Sequence, residues 1–172
     1  MHALLILDLQ VGLFHGAEKP WRGEAMLEAV NTLLDKAHAV GAPVFLARHV
    51  GPEGSPLTPD APLTRLIAEL QLNGSERVFE KRRPNAFVGT GLVEALREYG
   101  VTGVVIAGMK TQYCVDSTCR AAGDLGFPAV LVADGHSCSD TPGLSAEAIV
   151  AHHNGTLAGA FCRVMNAQEI EF

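Results

Sequence analysis

The stretch Ala3–Gln10, ALLILDLQ, decides how the rest of the chain is read. Its five consecutive apolar residues are too few for a helix and end at an aspartate, which fits a strand buried on both faces of a parallel sheet. A carboxylate directly after such a run costs free energy unless it is paired. A helix cap or an ordinary salt bridge would meet that need at Asp8, and so would a reactive site at the strand end.

Working outward, five more runs read as strands: Pro43–Arg48, Arg77–Glu80, Val104–Ala107, Ala129–Ala133 and Cys162–Asn166. Helical spacing covers Glu24–Val40, Pro62–Leu70, Gly91–Tyr99, Gln112–Leu125 and Ser145–Leu157, with Gly41, Gly100 and Gly126 as stops and Ser145 as an N-cap. The alternation predicts one domain over residues 1–172. Its fold would be a Rossmann-like, three-layer α/β/α sandwich of six mainly parallel strands in the order 3-2-1-4-5-6. Gly51–Pro62 lacks any period and reads as a surface loop.

Composition narrows the function. The 172 residues are 48% hydrophobic and 19% charged, as in an ordinary globular protein. A net charge of −6 without a basic stripe argues against nucleic acid as a partner. The N-terminal apolar run is interrupted at Asp8 and no span-length run follows, so neither a secretory leader nor a membrane partner is expected. Cys114, Cys119, Cys138 and Cys162 match no CxxC spacing, which favours a cytoplasmic setting with free thiols.

Right-handed crossovers put all strand C-termini on one edge, where ligands of such sheets bind. Asp8, Lys81 and the Thr111–Cys114 turn each follow a strand and converge there. Cys114 reads as lying in a first helical turn, where free N–H groups and the helix dipole would lower its pKa. Buried packing is the alternative for it, and a solvated basic run, EKRRP, is the alternative for Lys81. Together the three make a coherent device: the ammonium steadies the thiolate while the carboxylate carries the proton. Of the histidines, His136 at a strand end is the one expected to reach the same edge. His49 lacks a DxH partner, and His152 and His153 point about 100° apart on a helix, so no metal site is expected. No phosphate loop is present and no cofactor is expected.

Three pieces, LLILDLQVGLF, FEKRRPNAF and AGMKTQYCVDSTCRAA, occur in the order found in the isochorismatase-like cysteine hydrolases, which include nicotinamidases, and the chain resembles that family from Leu5 to about Met165. It looks closest to a small bacterial branch that includes streptothricin hydrolase. The resemblance implies a catalytic triad of Asp8, Lys81 and Cys114, a cis peptide at Met109–Lys110, and an oxyanion hole from the backbone N–H groups of Lys110 and Cys114. It implies hydrolysis of an amide, lactam or ureide-type C–N bond through a thioester. The family's habit of closing sites with a neighbouring subunit implies a homodimer or homotetramer. Gln10, Phe14, Phe87, Tyr113 and His136 are candidate substrate contacts, with Trp21 as a further apolar wall. The DxH…H metal pattern of nicotinamidases is replaced here by LARHVG. Competing readings are a metal-assisted nicotinamidase-type amidase with His49 as ligand, and a non-catalytic oligomeric or thiol-redox protein.

Overall fold

The computed structural model describes residues 1–172. Six strands form one sheet in the order β3-β2-β1-β4-β5-β6, and every ladder is parallel. They are β1 (His2–Leu7), β2 (Val44–His49), β3 (Arg77–Lys81), β4 (Gly103–Met109), β5 (Ala129–Ser137) and β6 (Cys162–Met165). The helices are α1 (Val11–Phe14, a single turn), α2 (Gly23–Val40), α3 (Leu92–Glu98), α4 (Asp116–Asp124) and α5 (Ala146–Leu157). No helix is long and apolar enough to cross a membrane.

Strand alternation divides the core into two apolar layers. Leu4 and Ile6 of β1 pack with Val30, Leu33 and Leu34 of α2. Ala3, Leu5 and Leu7 pack on the opposite face with Leu96 of α3 and with Val115 and Cys119. Helices on both faces explain why the strands read as continuous apolar runs, and the three-layer α/β/α architecture is as expected. Gly41, ending α2, adopts φ +66°, which glycine reaches without steric cost. Ser145 caps α5 by accepting a hydrogen bond from the Ala148 N–H. At the sheet edge, β3 has exposed or half-exposed residues everywhere except Lys81.

Three expectations need correction. Pro62–Leu70 is not a helix: only Pro62–Thr64 makes a turn of 3₁₀ type, Leu66 bridges Gln10 just past the end of β1, and Ala68–Glu69 forms a further turn. There the Val11 N–H donates to Arg65 O, and the Ile67 N–H to Leu9 O. The apolar spacing that mimicked a helix instead buries Ile67 and Leu70 from an irregular segment. β5 continues to Ser137, because its register on β4 jumps from Ile106–Leu131 to Gly108–His136 through a bulge. The stretch read as one helix over Gln112–Leu125 begins as a π-helical turn, Thr111–Val115, before α4.

Candidate active site

Asp8, Lys81 and Cys114 meet just beyond the C-terminal ends of β1, β3 and β4. Asp8 has φ +54°, a left-handed conformation that aspartate tolerates better than most residues, and it turns the carboxylate out of the strand's alternation. Gly108 allows the close approach of β4: at φ +114° a Cβ there would lie 2.1 Å from Leu7 O. Parallel register pairs Lys81 with His49, so both side chains leave the same face of the sheet, while Glu80 points to solvent. The Ala86 N–H donates to Thr118 Oγ1 at 3.1 Å, tying the segment after β3 to α4.

Lys81 Nζ lies 2.8 Å from Asp8 Oδ2 with both side chains fully buried. It donates to Cys114 Sγ at 3.1 Å and to Arg83 O at 3.2 Å, and contacts His49 Nδ1 at 3.2 Å. Although the ion pair is close, neither Asp8 oxygen has a well-aligned hydrogen bond from the protein. Burial therefore raises the Asp8 carboxyl above its ordinary range, and Lys81 offsets only part of that.

Cys114 corrects the expected chemistry. It sits in the π-helical turn ahead of α4, and only 9% of its surface is exposed. Burial and the negative charge of Asp8 push the thiol up to about 12, against the pull of Lys81. Loss of hydration outweighs the helix dipole here. The Cys114 thiol is therefore held protonated, beside a carboxyl group whose proton affinity is raised, and is not a preformed thiolate.

The Met109–Lys110 peptide bond is cis. The Lys110 N–H has no backbone acceptor, and the Lys110 side chain pairs with Glu18 at 2.7 Å.

The other sequence-based candidates are dispersed. The Gln10 amide is occupied: Nε2 donates to His49 O at 3.1 Å and Thr64 O at 2.9 Å, and Oε1 accepts from the His49 N–H at 2.7 Å. Phe87 is a core residue stacked on Phe127, with ring centres 6.3 Å apart. Phe14 is also buried in the core and borders a cleft of about 730 Å³ that holds no triad residue. Tyr113, the residue before Cys114, is 55% exposed.

His136 and Trp21 line a second cleft, about 370 Å³, between α2, β5 and α5. His136 is a strut. Asn154 Nδ2 donates to Ala133 O, which turns Asn154 Oδ1 toward His136 Nε2 at 2.9 Å, so Nε2 carries the hydrogen. Nδ1 then accepts from the Thr111 hydroxyl at 2.9 Å, anchoring the Thr111–Val115 turn to β5 and α5. Burial lowers the His136 pKa to about 4 and keeps it neutral. Sequence reasoning missed Asn154 and Thr111 in this role, because the bulge that sets His136 opposite Gly108 has no sequence signature.

Asp8, His49 and Cys114 each offer a donor atom within 4.8 Å of the others. The Lys81 ammonium contacts all three and already supplies the positive charge, so a metal ion would meet repulsion there. Ala47, where a DxH pattern would place its aspartate, is buried and has no donor side chain. The residues present do not fit the metal site of nicotinamidases.

Comparison with known proteins identifies relatives of the whole chain. A secreted isochorismatase effector of Verticillium dahliae is 29% identical over 97% of this chain and 88% of its own length. A streptothricin hydrolase of Streptomyces noursei is 33% identical over 83% of this chain, though the match spans only 51% of that protein. The crystal structure of an isochorismatase family protein superposes with a TM-score of 0.90 at 30% identity, covering 96% of this chain and 98% of that one. The isochorismatase domain matches residues 2–169, and the chain belongs to the isochorismatase family of hydrolases.

Proposed function

We propose that the protein is a cysteine amidohydrolase acting on an amide, lactam or ureide-type C–N bond of a small molecule. The observation that carries this reading is the position of Lys81 Nζ, 2.8 Å from a buried carboxylate with unmet acceptor capacity and 3.1 Å from a buried thiol.

As the Cys114 sulfur attacks the substrate carbonyl, its proton passes to Asp8, and the Lys81 ammonium offsets the negative charge of the centre. The N–H groups of Lys110 and Cys114 receive the oxyanion. Asp8 returns the proton to the departing nitrogen, leaving a thioester. It then takes a proton from the water that attacks the thioester and passes it to the departing Cys114 sulfur, which releases the carboxylic acid and restores the thiol. No step in this scheme calls for a metal.

The test is ammonia release from a panel of small amides and ureides, with a mass-shift readout for lactam opening, by the wild type and Cys114→Ala. Turnover that disappears in the variant supports the reading. Turnover that survives in it excludes Cys114 as the nucleophile.

We also infer a cytoplasmic setting, because all four cysteines are free and buried, the state that a reducing compartment maintains. Recovery from the medium, as the name of the Verticillium relative would suggest, overturns this. A homodimer or homotetramer that covers the exposed Tyr113 follows from the same reading, and sedimentation equilibrium measures it.

A further inference from the structure

His49 lies outside the proposed triad, yet it is built into the same cluster. Its main chain is clamped on both sides, the N–H donating to Gln10 Oε1 at 2.7 Å and the carbonyl accepting from Gln10 Nε2 at 3.1 Å. Its Nδ1 lies 3.2 Å from Lys81 Nζ. An ammonium has three hydrogens and no lone pair, so Nδ1 must be the acceptor and an imidazole in this position carries its own hydrogen on Nε2. Burial and the neighbouring ammonium both lower the His49 pKa, so the ring stays neutral. Nε2 makes no hydrogen bond within the protein, and the side chain is half-buried at the mouth of the site.

We propose that His49 is a positioning residue for Lys81: with Arg83 O it takes up two of the ammonium hydrogens, which leaves the third aimed at Cys114 Sγ and holds the charge 2.8 Å from Asp8 Oδ2. The Nε2–H that this arrangement fixes is then a donor for an oxygen of the substrate, a carbonyl or carboxylate next to the scissile amide. Gln10 sets the angle at which His49 does this, which explains why its own amide is fully engaged. The inference deepens the amidohydrolase reading and rests on it for the substrate contact alone.

The two ring nitrogens can be tested separately, because an asparagine oxygen can take the place of Nδ1, whereas a glutamine amide can take the place of Nε2. The first measurement needs no substrate: the rate at which iodoacetamide alkylates Cys114, read at the peptide level at pH 9, in wild type and His49→Ala, His49→Asn and His49→Gln. Loss of the acceptor should slow alkylation about tenfold in the Ala and Gln variants, and Asn should recover most of that rate. Melting temperatures within a few degrees of wild type keep the comparison free of unfolding. Equal rates in all four proteins, or an Asn variant no better than Ala, overturn the positioning role. On an amide that the enzyme turns over, His49→Asn should raise KM about tenfold with kcat largely kept, and an unchanged KM overturns the substrate contact. If no amide is turned over, the hydrolase reading fails while the alkylation series still decides the placement of Lys81.

Discussion

His136 on β5 and His49 on β2 flank the central β1–β4 pair, and their surroundings differ in one respect. Both nitrogens of His136 have protein partners, and its network, from Thr111 through Asn154 to Ala133 O, is neutral and closed. Around His49 the accounting does not close: Lys81 has four neighbours for three hydrogens, and Asp8 retains unmet acceptor capacity. A closed network holds a backbone in place. An open one of similar depth has free valences for a substrate and for a proton in transit.

Changes in the open network should therefore affect rate, and those in the closed network should affect stability. The largest effect is expected for Asp8→Asn, which removes the proposed proton acceptor: kcat should fall by about 10²–10⁴, read by ammonia release on a substrate turned over by wild type. Lys81→Met should also abolish turnover. It leaves a buried carboxylate unpaired at a cost of about 3–5 kcal/mol, measured by urea unfolding, with the lower figure expected because the raised Asp8 pKa lets it take up a proton.

The closed network should respond to pH. The His136 pKa falls from 6.5 to about 4 on folding, so between these values the unfolded chain binds the extra proton. Its contribution is fully present above pH 6.5 and is lost as pH falls toward 4, about 3 kcal/mol in all. Unfolding curves of wild type and His136→Gln should therefore converge as pH drops, and a constant gap would exclude the neutral strut. The smallest effect is expected for Glu18→Gln at the exposed Lys110 pair, with kcat changed by about twofold or less and no measurable shift in melting temperature.

Much of this was legible in the sequence because the carriers were local. The buried run before Asp8, the glycine stops at Gly41 and Gly100, and the out-facing Glu80 each depend on a few neighbouring residues. The rest depends on register. That His49 pairs with Lys81, and that a bulge sets His136 opposite Gly108, are facts about how separate strands align. The apolar spacing of Leu63, Leu66, Ile67 and Leu70 suits a helix face, and tertiary pairing with the end of β1 overrode it. The direction of the Cys114 shift was misread because position at a helix start is visible in sequence and depth of burial is not.

Lys81 is the one buried residue of a strand that pairs on one side only. Sheet edges open by local fluctuation more readily than centres do, at free energies below that of global unfolding. The proposed reaction centre therefore takes its ammonium from an edge of the sheet. On heating, turnover should fade at a lower temperature than helical circular dichroism, and the β3 amides should exchange with deuterium well before those of β1 and β4.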